Sequence, residues 1–205
     1  MTILNDIKSL SDVAALAASL PKVNAEAAEA ARARQNSLTK PPGSLGRLED
    51  LAVFMAGWQG VERPVLDKAQ AVVFAGNHGI CAQGVNPFPQ EVTVQMVANF
   101  SHGGAAINQL CRAAGAELSV VALDLDTPTA DFTQGPAMSE ADVLAAMHKG
   151  AEAVDANAQV LALGEMGIGN TTIAAAIAHG LYGGAPEDWV GPGTGVDAEG
   201  IKRKA

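Results

Sequence analysis

"AQVLALGEMGIGNTT", residues 158–172, joins an apolar run to a glycine-rich turn and then to an alanine-rich segment. Residues 158–164 read as a strand, and 172–181 as a helix whose small residues let it lie close on a sheet. The same grammar recurs upstream. "AQAVVFAG", residues 69–76, is a β-branched, apolar strand that stops at Gly, Asn, His and Gly. A helical region from about residue 90 to 114 leads through Gly115 into "AELSVVALDLD", residues 116–126, another strand. Ser139 with Asp142 forms a capping box that opens a helix toward Val154. Strands alternating with helices, and apolar enough to be covered on both sides, predict an α/β fold. Its core is a mainly parallel, Rossmann-like sheet flanked by helices. Ligands in such sheets sit beyond the carboxyl ends of the strands, where residues 76–90 and 164–172 fall.

The N-terminal part reads differently. Residues 4–38 predict one or two helices divided by Pro21. In "TKPPGSLGRLEDLAVFMAGWQG", residues 39–60, Pro41, Pro42 and Gly43 force a turn. Ser44 is the expected cap of a helix placing Leu45, Leu48, Leu51, Ala52 and Met55 on one face. The chain thus divides into a helical segment, 1–60, and an α/β part, 61–205. Gly183 to Pro186 reads either as a hinge or as an ordinary loop.

Composition limits the function. The 205 residues are 48% hydrophobic with a formal net charge of −9, and the mean hydropathy is +0.15. That is enough apolar material for a core. The acidic balance argues against a surface that collects nucleic acid. Two cysteines, Cys81 and Cys111, and no signal-like segment point to a soluble protein of the cytoplasm. No apolar stretch approaches the ~20 residues of a membrane helix.

The glycine turn is the chemical centre of the sequence. Free backbone N–H groups at a helix start carry partial positive charge, so Gly164, Gly167 and Gly169 followed by Asn170, Thr171 and Thr172 offer amides and hydroxyls to a phosphate. No lysine follows, as a Walker loop requires, and G-x-G-x-x-T is not a full dinucleotide fingerprint. A threonine-capped turn without ligand fits the pattern equally well. Glu165 argues for a ligand, because a carboxylate among anion-binding amides must face another part of it, such as a ring N–H or a developing cation. His78 and Cys81 have H-x-x-C spacing, but His102, His148 and His179 are scattered, so no metal site is expected. A nicotinamide-dependent oxidoreductase would use Asp188 for the ribose, yet Asp188 precedes the next apolar run instead of ending it.

"TKPPGSLGRLE" (39–49), "FAGNHGICAQGVNPFPQEVTVQMVANFSHGGAAIN" (74–108), "GEMGIGNTT" (164–172) and "GPGTGVD" (191–197) together resemble the nicotinate-nucleotide–dimethylbenzimidazole phosphoribosyltransferases. The similarity runs in the family's order from Ala31 to the end. It implies transfer of phosphoribose from nicotinate mononucleotide to 5,6-dimethylbenzimidazole, a step in building the lower ligand of cobalamin, by a cytoplasmic homodimer without a cofactor. It also implies a parallel-sheet large domain and a small helical domain.

By the same resemblance, Glu165 and Met166 lie beside the base, with Glu165 catalytic. Gly167, Asn170, Thr171, Thr172, Gly193, Thr194 and Lys204 serve the nucleotide and its phosphate, while Phe88 and Met96 line the benzimidazole site. Two departures stand out. Asn77 occupies a position where many relatives carry Asp. The family's chain also continues well over a hundred residues past the match to Ala205, and carries there the glutamate implied as general base. Residues 1–205 are therefore expected to be a truncated form, poorly stable or self-associated alone and without transferase activity.

Overall fold

The computed structural model describes residues 7–205. The first six residues of the predicted N-terminal helical segment lie outside that range. The helices are α1 (Leu10–Leu16), α2 (Ala25–Ser37), α3 (Arg47–Gln59), α4 (Glu91–Ser101), α5 (Ala106–Ala114), α6 (Glu140–Glu152), α7 (Asn170–Tyr182) and α8 (Ala198–Lys204). The strands are β1 (Ala69–Ala75), β2 (Ala116–Ala122) and β3 (Val160–Met166).

The strands are parallel, in the order β2-β1-β3. The α/β expectation therefore holds. β1 leads through α4 and α5 to a neighbour on one side, and β2 leads through α6 to the opposite side of β1. Right-handed crossovers in opposite directions put those helices on opposite faces of the sheet. The loops after β1 and β3 come together at the carboxyl ends of the strands, where His78 meets Asn170 and Cys81 meets Ile168, and where such sheets place their ligand crevice.

Burial is concentrated at the centre. Val72 is fully buried, and Ala71, Val73 and Ala75 are nearly so. Covering each valine is worth roughly 1.5–3 kcal/mol, more than the ~0.5–1.5 kcal/mol net of a typical hydrogen bond. Val73, Phe100 and Ala105 form the core against which Met96, Ile107, Leu118, Val120 and Met166 pack. Among the described residues β3 is not covered on both sides. Leu163 of β3 is 69% exposed. As a terminal strand of the order, β3 pairs on one edge only among the described residues, and its Leu161 and Leu163 lie on an open face.

Gln70 is the buried polar exception on β1. Its Nε2 donates to the Ala153 carbonyl at 2.8 Å, and its Oε1 accepts from Asp155 N–H at 2.9 Å. Both ends of the amide are satisfied, and the α6–β3 connection is held to the sheet. Lys68 forms ion pairs with Asp155 and Glu117 at the same end.

Three predicted boundaries were tested by the fold, and two shift. The region from 90 to 114 is two helices, broken at Gly103 and Gly104. Asn108 spans the break, accepting from Ala105 N–H at 3.0 Å and donating to the Phe100 carbonyl at 2.9 Å. β3 runs two residues past Gly164, because Glu165 and Met166 continue the ladder opposite Phe74 and Ala75. The capping box is observed as expected, with Ser139 and Asp142 each accepting the other's backbone N–H.

α2 and α3 pack on one another through Ala31, Val53 and Ala56, with Ala28 alongside. Ser44 does not cap α3, whose N-cap is Gly46. The expected apolar face is also corrected. Leu45, Leu48 and Leu51 are exposed, while Val53, Ala56 and Gly57 face α2. Small side chains on both helices allow the close approach, so the larger leucines face outward. The preceding turn is closed by Lys40 Nζ, 2.7 Å from Glu49 Oε1, which also accepts from Leu45 N–H at 3.1 Å.

The Lys40 ammonium, and then the Leu45 N–H, hold the Glu49 carboxyl below the ordinary glutamate range. A carboxyl depressed in the folded state contributes stability above its unfolded pKa and loses it as pH falls through the folded one. Glu49→Gln should therefore melt below the parent at neutral pH, with the gap closing on acidification. A gap in melting temperature that stays constant from pH 7 into the acid range would refute this role.

Candidate functional site

At the carboxyl end of the sheet, β1 and β3 finish side by side. Gly76 N–H donates to the Met166 carbonyl at 3.0 Å, continuing the ladder one step beyond the strands. The chain after β3 then turns through residues 167–169 into α7. Gly167 is required by contact. A Cβ there would overlap both Asn170 Oδ1 and the Gly76 carbonyl.

Residues distant in sequence hold this turn from behind. Thr93, fully buried on α4, accepts from Ile168 N–H at 3.2 Å. Cys81 donates its thiol hydrogen to the Ile168 carbonyl at 3.2 Å, and burial pushes that thiol's pKa up. Ile168 is therefore anchored on both sides. None of this was readable from the sequence, because the partners lie 75 and 87 residues away and Thr and Cys at those positions carry no local signal.

In front of the turn is a cleft lined by Val85, Asn86, Pro87, Gly167, Ile168, Gly169, Asn170, Thr171, Thr194 and Lys204. Most of the residues expected at the phosphate thus meet at one place. Gly193 belongs to the same wall. It has φ +56°, and a Cβ on it would stand 2.8 Å from Thr171 Oγ1 and 3.0 Å from Lys204 Nζ, so the position favours glycine twice over. Asp197 caps α8 by accepting from Gly200 N–H at 2.8 Å, and this short helix carries Lys204 to the cleft. Lys204 Nζ donates to the Gly191 carbonyl at 3.1 Å and lies 3.5 Å from Thr171 Oγ1. Burial pulls its pKa down. A desolvated ammonium held by neutral oxygens at a helix start is arranged to receive an anion.

Other expected residues sit elsewhere. Thr172 is buried at 3% exposure and is not among the residues lining the cleft. Met96 and Met166 pack against the apolar core beside β1. Phe88 is 47% exposed in the loop after β1. Glu165 alternates with Met166 along β3, so its side chain leaves the opposite face of the strand. Its carboxylate accepts from Asn170 Nδ2. Asn77 is buried, and its Nδ2 donates to the Leu125 carbonyl at 2.9 Å. An aspartate could not make that contact without a proton. The H-x-x-C pair is divided between partners, since His78 meets Asn170 and Thr129 while Cys81 meets Ile168.

Comparison with known proteins places this geometry in context. The sequence profile of the phosphoribosyltransferase family matches residues 20–205. A nicotinate-nucleotide–dimethylbenzimidazole phosphoribosyltransferase of Rhodobacter capsulatus is 64% identical over 198 residues, covering 97% of this chain and 59% of the relative. A protein of the same name from Jannaschia sp. is 66% identical over 181 residues, covering 88% and 54%. The crystal structure of CobT from Thermus thermophilus superimposes with a TM-score of 0.81 at 43% identity, covering 87% of this chain and 60% of that one. The chain thus spans a little over half the length of the curated relatives it matches. With its sequence profile, its parallel sheet and its glycine turn in agreement, the chain belongs to the phosphoribosyltransferase family represented by the nicotinate-nucleotide–dimethylbenzimidazole enzymes.

Proposed function

We propose that the protein carrying this chain transfers phosphoribose from nicotinate mononucleotide to 5,6-dimethylbenzimidazole, giving α-ribazole 5′-phosphate and nicotinate, within cobalamin biosynthesis in the cytoplasm. The observation that carries this reading is the anion cradle at the start of α7, where Lys204 stands desolvated against Thr171 and Gly191. In this reading the mononucleotide phosphate is received by Gly167, Asn170, Thr171, Thr172, Gly193, Thr194 and Lys204. Asn170 and Thr172 contribute by shaping the turn, because their N–H groups donate to the Gly167 and Gly169 carbonyls at 3.2 and 3.0 Å, and the Asn170 side chain is committed to His78 and Glu165. Phe88, Met96 and Met166 supply apolar surface for the flat benzimidazole.

The reaction is a displacement at the anomeric carbon. A benzimidazole nitrogen forms the new C–N bond from one face as the bond to nicotinate breaks on the other. The β-linked nucleotide therefore yields an α-linked product. The electron pair of the broken bond leaves with nicotinate, and the proton on the other benzimidazole nitrogen passes to a base. Holding both rings in line supplies much of the rate. The role proposed for Glu165 is to stabilise the positive charge that develops on the ribose. We further propose that the α2–α3 pair belongs to a small helical domain, that residues 61–205 form the substrate-binding part, and that the protein works as a homodimer.

The whole protein that carries this chain, purified and incubated with nicotinate mononucleotide and dimethylbenzimidazole, should form α-ribazole 5′-phosphate and release nicotinate in equal amounts. Saturable binding of the mononucleotide without nicotinate release would reject transfer and leave a binding protein. Gly167→Val should weaken mononucleotide binding at least about tenfold, since the side chain would displace Asn170 and enter the cradle. Unchanged affinity by calorimetry would remove the phosphate from this turn. Glu165→Gln should lower kcat by about 100-fold with nucleotide affinity retained. The reverse pattern, normal turnover with lost affinity, would assign Glu165 to the ground state instead.

A further inference from the structure

The proposed phosphate and base contacts do not use every polar group of the site. His78 stands at the end of β1 and makes no proposed substrate contact. Three backbone or amide bonds fix its surroundings. Gln90 Nε2 donates to the His78 carbonyl at 2.6 Å, Gly79 N–H donates to the Thr129 carbonyl at 2.8 Å, and Thr129 N–H donates to the Asn77 carbonyl at 3.2 Å. The segment carrying Thr129 is thereby pinned across the end of β1, where His78 and Thr129 form an isolated parallel bridge.

The side chains then form a line. Thr129 Oγ1 lies 3.4 Å from His78 Nδ1, His78 Nε2 bonds to Asn170 Oδ1, and Asn170 Nδ2 donates to Glu165 Oε2. The chemistry of these groups dictates the protons. A carboxylate oxygen only accepts, so the Asn170 amide presents its NH₂ to Glu165. Its oxygen then faces His78, and that oxygen can bond only to a hydrogen on Nε2. In the neutral ring Nδ1 is left to accept from the Thr129 hydroxyl.

We propose that His78 is a positioning residue for the reaction: acting through the Asn170 side chain, it holds the Glu165 carboxylate in one orientation at the end of β3. The inference rests on the role proposed above for Glu165. Among the described residues Glu165 is exposed, and its side chain accepts from Asn170. A charge placed before the reaction stabilises a developing cation better than one that must reorganise. Gly167 completes the device, because only a residue without Cβ leaves room for the Asn170 oxygen.

The test is a double-mutant cycle with a spectroscopic readout beside it. His78→Ala should lower kcat about 10- to 100-fold, with the KM for nicotinate mononucleotide changed by no more than roughly twofold. His78→Gln, whose amide N–H reaches where Nε2–H stood, should restore most of the loss. In a Glu165→Gln background, His78→Ala should cost no more than roughly twofold. An equal loss in both backgrounds, or a raised KM with kcat unchanged, overturns the proposal. ¹⁵N NMR of the imidazole in the wild-type protein should show the Nε2–H tautomer, perturbed on Asn170→Ala; an Nδ1–H tautomer, or a ring indifferent to Asn170, overturns it without reference to turnover. Failure of the wild-type protein to release nicotinate rejects the transferase reading alone, and the NMR result still decides whether His78 holds Asn170. If His78→Ala does not fold, His78→Gln and the tautomer carry the decision.

Discussion

The site depends on one close approach, that of the Gly167 backbone to the Gly76 carbonyl and the Asn170 side chain. Two strands must end together for it to occur, and the Gly76 to Met166 hydrogen bond of 3.0 Å brings them together. Once Gly167 is in place, the chain enters α7 beside the cleft, and Asn170 reaches both His78 and Glu165. A methyl group at this position would disturb the sheet end, the cleft and the polar line at once.

The turn is also rigid where its own sequence offers little rigidity. Gly167 and Gly169 leave the backbone free, yet Ile168 is buried and Thr93 and Cys81 hold its backbone from α4 and from the loop after β1. Elements on the two sides of the crevice therefore share one anchor. Preorganised amides are worth more to a bound anion than mobile ones, because the ordering cost has been met by folding. Lys204 contributes differently. It arrives on the short helix α8, partly buried, with the neutral oxygens of Thr171 and Gly191 beside it among the described residues.

The uneven burial of the sheet sets the division of labour within the fold. β1 is covered and supplies the core, whereas β3 is paired on one edge and carries Leu161 and Leu163 on an open face. Glu165 projects from that same face. There its carboxylate accepts from Asn170, whose oxygen in turn meets His78.

Local pattern determined the elements. Apolar runs next to glycines marked β1, β2 and β3, and the reciprocal Ser139–Asp142 bonds opened α6 as the sequence announced. The glycine turn itself was legible because a strand, closely spaced glycines and a helix start follow one another in the sequence. Tertiary structure decided the rest. Residues 45–51 looked like the buried stripe of α3, but alanines and Gly57 made the tighter contact with α2 and sent the leucines outward. Glu165 and Met166 read as loop residues until pairing with Phe74 and Ala75 drew them into β3. No local pattern could show that Thr93, Cys81, His78 and Thr129 converge on the turn, because their bonds join residues 51 to 92 positions apart. Sequence specifies periodicity and backbone freedom over a few residues, whereas contacts of that range exist only after the parallel sheet has closed and brought the ends of β1 and β3 together.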